Sequence, residues 1–269
     1  MASKTGTIGF IGAGNMGSAM LEGLLAQRVA APSDLHVYDK DTARARNLKE
    51  RHGVAADVSA LDLVKTCRVI VLAVKPQDLE AAASEFRAAL TSSHVVISIL
   101  AGMTIEKLGK ALGSAPQLVR AMPNLGAMVR ESLTAVTSSS DEALAQAEII
   151  FNACGKTVRL DEKFFDLVTA LSGSGPAYFF LLMETLMAKG IERGLAPEVA
   201  RTLAVQTAVG AAQAARNASD DPAELRRKVT SKGGTTEAAL KVLSESGVPA
   251  FFSKAYDAAE SRGRELRGG

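Results

Sequence analysis

Residues 229–240 read VTSKGGTTEAAL, placing Ser231, Gly233, Gly234, Thr235 and Thr236 directly before an apolar helical pattern. Glycine bares the backbone, serine and threonine add hydroxyls, and a helix start offers N–H groups without intrahelical partners. That combination suits a small carboxylate. One threonine is explained as an ordinary helix cap, but a cap needs neither two glycines, nor Ser231, nor the second threonine. A further run, LSGSGPAYFF at 171–180, sets Ser174 among small residues before Pro176 at another helix start. Two such loops in one region imply a compartment for a small anionic molecule.

A different glycine loop stands near the beginning. GFIGAGNMG places Gly12, Gly14 and Gly17 in the G-x-G-x-x-G pattern, with Ala13, Asn15 and Met16 between them. It follows a strand-like run and opens a helix-like one, the context that makes the pattern credible as a dinucleotide's pyrophosphate cradle. Asp39 ends the next strand, where a carboxylate takes the ribose hydroxyls and repels a 2′-phosphate. Lys40 and Arg44 follow at once and could attract that phosphate, so both cofactor types stay open. LAVKPQ puts Ala73, Val74, Lys75 and Pro76 at another strand end, and SILAGM does the same for Ala101. In AMPN, Asn124 offers a side-chain amide that could hold a carboxamide such as that of nicotinamide. Lysine at a strand end and asparagine in a turn are both commonplace, so neither is specific alone.

The elements that must position these residues change character along the chain. In the first half, TIGFIGAG, LHVYD, RVIVLAV, HVVISIL, LVRAMPN and SLTAVTSS read as strands. NMGSAMLEGLLAQ, TARARNLKERHG and KPQDLEAAASEFRAAL read as helices between them. Such alternation predicts a mostly parallel sheet covered on both faces, an α/β fold. The second half reads as helices throughout, among them PAYFFLLMETLMAKGIERG, which is apolar nearly all round and marks a core or subunit interface. The change falls within GKTVRLDEKFFD, giving domains 1–162 and 163–269.

Composition narrows the class. The 269 residues are 47% hydrophobic and 22% charged with a net charge of +2, which does not favour nucleic acid as a partner. The apolar runs are shorter than a membrane span, and MASKTG lacks the apolar stretch of a secretory leader. Two cysteines without C-x-x-C spacing fit a reducing cytoplasm, and three scattered histidines predict no metal site.

Taken together and in order, GFIGAGNMG, LAVKPQ, AMPN, LSGSGPAY and VTSKGGTTEAAL resemble the pyrroline-5-carboxylate reductases over nearly the whole chain. The resemblance implies reduction of 1-pyrroline-5-carboxylate to L-proline with NADPH or NADH. It implies a Rossmann domain followed by an all-α domain that interlocks between subunits as a dimer or larger homo-oligomer. By the same resemblance the loop at Ser231–Thr236 holds the substrate carboxylate, and Ser174 is a further substrate-binding candidate. Thr236 matches the threonine that hydrogen-bonds the ring nitrogen; it and Lys75 are the catalytic candidates. Three positions depart from the family pattern: Leu125-Gly126 replaces Thr-Pro, Arg130 replaces a small residue, and an asparagine is missing near Ala60.

Two other readings compete. A β-hydroxyacid dehydrogenase opens on a similar glycine loop but needs a lysine on the helix after its second one, and here none occurs before Lys189. A non-catalytic NAD(P)-sensing protein would have no use for the two later loops.

Overall fold

Strand β1 (Ile8–Ile11) is buried at every position, and so are β4 (Val69–Leu72) and β5 (Val95–Ser98). This is why their sequences run apolar without alternation: both faces of the sheet are covered. The computed structural model describes residues 6–268. It divides into two units, one holding the described residues up to Ser174 together with those from Ala259 onward, the other Gly175–Ala258. The change of composition at 162/163 and this division by contact fall at different places.

The first unit is an eight-stranded sheet. Besides β1, β4 and β5 it contains β2 (Leu35–Tyr38), β3 (Ala55–Ala56), β6 (Gln117–Met122), β7 (Ser132–Thr137) and β8 (Gly155–Arg159), in the order β3-β2-β1-β4-β5-β6-β7-β8. All neighbours are parallel except β6 and β7. Side chains alternate faces as strand geometry requires. Ile8, Phe10, Val69, Val71, Val95 and Ile97 enter one core, while Ile11, Ile70, Leu72 and Val96 enter the other. Gly9 faces the second core without a side chain because Leu63 Cδ2 lies 2.3 Å from where its Cβ would stand.

Helices α1 (Asn15–Ala26), α2 (Thr42–His52), α3 (Ala60–Thr66), α4 (Leu79–Phe86), α5 (Ile105–Leu112) and α6 (Asp141–Asn152) cover the sheet, and α7 (Phe165–Val168) follows β8. Asp41 caps α2 by accepting the Ala43 N–H, and Gly53 closes it in the left-handed region at φ 72°. Sequence patterning misses β3, β8, α3, α5 and α6. β8 has no buried apolar residue, so nothing in its spacing announces a strand; five parallel register positions against β7 define it instead. α3 is only seven residues long, and α3 and α6 are started by the caps Ser59 and Ser140.

The second unit is helical: α8 (Gly175–Glu192), α9 (Pro197–Asn217), α10 (Pro222–Lys228), α11 (Thr235–Glu245), and the start of α12 (Val248–Gly268), whose end belongs to the first unit. α7 leads into a π-helical turn at Thr169–Gly173, Ser174 is a bend, and α8 begins at Gly175. By length and composition alone, Glu162–Glu192 is apolar enough to cross a membrane. Within one chain, Phe179, Phe180, Leu181, Leu182 and Leu186 of α8 stand exposed.

Candidate functional site

At the carboxyl ends of β1, β2 and β4 the first unit carries a cleft of about 350 Å³. Gly12, Gly14, Asp39, Lys40, Ala73, Val74 and Lys75 all line it, so residues from three separate sequence stretches meet in one place. The three glycines do different things. Gly12 sits at φ 111° and its N–H donates to the Tyr38 carbonyl; a Cβ there would stand 2.5 Å from the Ala73 carbonyl oxygen. A Cβ on Gly17 would stand 2.3 Å from the Gly12 carbonyl oxygen, so Gly17 serves the packing of helix on strand. Around Gly14 there is open space, with Arg44 Nη1 the nearest atom at 4.0 Å.

Gly14 is also the N-cap of α1, which has no side-chain cap and no acidic residue in its first turn. Asn15 and Met16 open that turn, and Met16 leans on the core. The cradle therefore fits a diphosphate: bare backbone, free amides, the positive end of a helix, and room where a side chain would intrude.

Asp39 is 8% exposed and both its oxygens are held by backbone. Oδ2 accepts the Ala13 N–H at 2.7 Å and Oδ1 accepts the Asp41 N–H at 2.8 Å. The carboxylate thus ties the glycine loop to the β2–α2 turn. A carboxylate has about four acceptor sites, so roughly two remain for ligand hydroxyls. Lys40 pairs with Asp78 at 3.1 Å and Arg44 with Asp41 at 3.3 Å. Lys75 is exposed and, among the described residues, makes no ion pair; with Pro76 it begins a short 3₁₀ turn after β4.

Sequence reasoning missed Tyr38, Asp78, Ala81, Ala82 and Glu85, which complete the wall. The signal existed: Asp78, Ala81, Ala82 and Glu85 share helical spacing, and two alanines permit close approach. Burial pushes the Tyr38 phenol above its usual range, and the charges of Glu85 and Asp39 add to the rise.

The remaining candidates lie elsewhere. Ala101 follows β5 in the turn before α5. The Asn124 carboxamide is engaged within the fold: Oδ1 accepts the Gly126 N–H at 3.0 Å and Nδ2 donates to Ser172 Oγ at 2.9 Å. This places Asn124 as a brace of its own loop. Ser174 ends the π-helical turn, its N–H donating to the Thr169 carbonyl.

In the second unit, residues 231–236 form a loop built largely from its own backbone. Gly234 N–H donates to the Ser231 carbonyl, and Gly233, at φ 73°, donates its N–H to Glu237 Oε2 at 2.7 Å. The ordinary-cap account of the threonines does not hold. The N-cap of α11 is Gly234, no side chain caps the helix, and Thr235 and Thr236 are its first two residues. Their hydroxyls are therefore left over from helix capping. A Cβ on Gly234 would stand 2.6 Å from Ser231 Oγ, so the glycine makes room for that hydroxyl.

Residues 162–266 match the family model for pyrroline-5-carboxylate reductase dimerisation, and residues 7–102 match the model described as NADP oxidoreductase, coenzyme F420-dependent. The pyrroline-5-carboxylate reductase of Pseudomonas aeruginosa is 39% identical over 98% of this chain and 97% of its own length. A solved pyrroline-5-carboxylate reductase from Coxiella burnetii is 36% identical, with a TM-score of 0.91 over 98% of this chain and 99% of that one. The Plasmodium falciparum enzyme, solved with NADP bound, is 28% identical with a TM-score of 0.89 over 99% and 100% of the two chains. With 39% identity over nearly the full length of both chains and a TM-score of 0.91 to a solved member, the chain belongs to the pyrroline-5-carboxylate reductase family.

Proposed function

We propose that the protein reduces 1-pyrroline-5-carboxylate to L-proline, using NADPH or NADH, as a homodimer or larger assembly in the cytoplasm. The observation that carries this reading is the loop at 231–236, whose serine and threonine hydroxyls have no capping task at the start of α11. The reading assigns the cofactor to the first 162 residues and the substrate and subunit interface to 163–269.

The reduced nicotinamide supplies a hydride to the imine carbon, and a proton must reach the ring nitrogen. The chain's part is to bind and orient. The free amides at α1 and the open space at Gly14 receive the diphosphate, while Asp39 receives ribose hydroxyls. Ser231 and Thr235 hold the substrate carboxylate, with Gly233 and Gly234 shaping the loop around it and Ser174 contributing, and Thr236 directs its hydroxyl at the imine nitrogen. Lys75, exposed and unpaired among the described residues at a cleft wall, adds positive potential for an anionic ligand. The remaining cofactor assignments, Ala13, Asn15, Met16, Gly17, Ala73, Val74, Pro76, Ala101 and Asn124, stand as part of the same reading.

The exposed aromatic and aliphatic side chains of α8 are too apolar to leave in water, which supports burial against a second copy. The free, buried cysteines fit a reducing compartment. The test is loss of NAD(P)H absorbance on adding pyrroline-5-carboxylate, with hydroxyacids plus NAD(P)+, read as a gain of absorbance, as controls. Turnover of the hydroxyacids alone would overturn the reading in favour of an alcohol dehydrogenase. Light scattering tests the assembly: a well-folded monomer at low concentration would overturn the interlocked interface.

A further inference from the structure

We propose that Asp78 is a cofactor-specificity residue, withholding Lys40 from the 2′ position of the adenosine ribose, so that this chain favours NADH over NADPH. The proposal rests on the nucleotide reading of the cleft given above.

Lys40 follows β2 and Asp78 follows β4, and these strands lie on either side of β1 in the sheet. Their 3.1 Å ion pair therefore reaches across the ground above the glycine loop, and both residues line the cleft. Of the two cations next to Asp39 able to meet a 2′-phosphate, Lys40 is taken by Asp78 and Arg44 by Asp41. Arg44 also extends toward Gly14, with Nη1 4.0 Å from a Cβ placed there. Meanwhile Asp39 is pinned by two backbone amides and keeps acceptor sites for hydroxyls, which a phosphate cannot offer. Asp39, Asp78 and Glu85 line the cleft beside Lys40, Arg44 and Lys75, and Asp41 lies behind Arg44, so the two cations nearest Asp39 are both neutralised by carboxylates of their own. The phenol of Tyr38 registers the negative field, since Glu85 and Asp39 both raise it after burial does. A 2′-phosphate, which carries up to two negative charges, meets the Asp39 carboxylate here while the two cations beside it are already paired.

A surface ion pair is weak in itself. Its consequence is larger for a ligand, because breaking it releases a cation and removes a carboxylate together. Asp78 is separate from the residues assigned to chemistry.

The experiment compares 5′-AMP with 2′,5′-ADP by calorimetry, so that the probes differ only by the 2′-phosphate. For the unaltered protein, 5′-AMP is expected to bind more tightly. In Asp78→Asn the preference should move toward 2′,5′-ADP by about tenfold, the scale of one charge-assisted hydrogen bond gained. Lys40→Gln in the Asp78→Asn background should cancel that gain. A gain that survives loss of Lys40 would overturn the assignment, as would an unmoved ratio in Asp78→Asn or tighter 2′,5′-ADP binding from the start. Imine reduction is assayed in parallel. An active enzyme with an unmoved ratio refutes this proposal alone, whereas a protein that binds both nucleotides as expected but reduces no imine refutes the functional reading alone.

Discussion

Arg120, buried in β6, donates from Nη1 to the Glu162 carboxylate at 3.1 Å, with its guanidinium 4.6 Å from the centre of the Phe165 ring. The same Glu162 oxygen accepts the Ile105 N–H at 2.8 Å, where α5 begins. Buried Asp166 pairs with Arg267 near the end of α12 at 3.2 Å. Burial lowers the Arg120 pKa, and the hydrogen bond and charge of Glu162, with the charge of Asp166, oppose that loss. One charge network thus ties a central strand to α5, α7 and the C-terminal helix.

The two ends of the Arg120–Glu162 pair should not be equally sensitive. Glu162→Leu leaves a buried guanidinium short of its partner and strips the Ile105 cap; breaking a buried pair this way costs about 3–5 kcal/mol. Arg120→Met leaves a carboxylate that is 33% exposed and can turn to water. It should cost clearly less. Urea denaturation of both variants measures the difference, and equal losses would show that the pair is not what stabilises this corner.

The glycines of the first loop make a second pair of expectations. Gly14→Ala places a methyl in open space, so folding stability should hold while cofactor affinity falls about tenfold or more. Gly17→Ala drives a methyl against backbone and should cost about 1–3 kcal/mol of stability. Thermal melts beside nucleotide titrations separate them. Equal stability loss in both would mean that Gly14 is structural too.

What could be read from sequence and what could not divides by distance along the chain. Gly12, Gly17 and Asp39 are placed by local rules: a turn after a strand, a helix start, the end of the next strand. Their partners lie within the same β-α-β unit: Asp39 meets Ala13 and Asp41, and Gly17 packs on Gly12. Lys40 with Asp78, and Arg120 with Glu162, are separated by 38 and 42 residues, and only the assembled sheet brings them together. β8 escapes for a related reason, since pairing with β7 and not burial makes it a strand. The loop at 231–236 was legible as unusual, but its cap geometry was not: a threonine before a helix pattern looks the same whether it caps the helix or begins it.

Alkaline pH should destabilise the fold through its thiols. Burial pushes Cys67 up from 9.0 to about 12, with Asp57 adding, and burial raises Cys154 to about 11. An acid whose folded pKa is raised stabilises fully below its unfolded pKa and less as pH climbs toward the folded value. Stability should therefore decline from about pH 9 upward, by at most about 1.4 kcal/mol per pH unit for each thiol. Cys67→Ala should flatten that slope whatever it does to stability at neutral pH. Denaturation midpoints measured from pH 7 to 11 supply the check, and an unchanged slope would remove Cys67 from the account.

The loop before α11 gives the most direct test of chemistry. Because Gly234 is the N-cap and the threonine hydroxyls cap nothing, Thr236→Val should cost little stability, well short of the ~1 kcal/mol typical of a lost cap. Removing the hydroxyl that directs the imine nitrogen should instead lower kcat. Positioned proton donors are worth ~10²–10⁴ in rate, and the low end applies because a cyclic imine is basic enough to be partly protonated before it binds. Ser231→Ala should act on KM, since a carboxylate is held equally in ground and transition states. Gly234→Ala should do the same indirectly, by displacing the Ser231 hydroxyl that lies 2.6 Å from the new methyl. Steady-state kinetics and melting curves on all three variants distinguish these roles. Full kcat in Thr236→Val would end the case for its hydroxyl, and a kcat loss in Ser231→Ala without a KM change would reassign the serine.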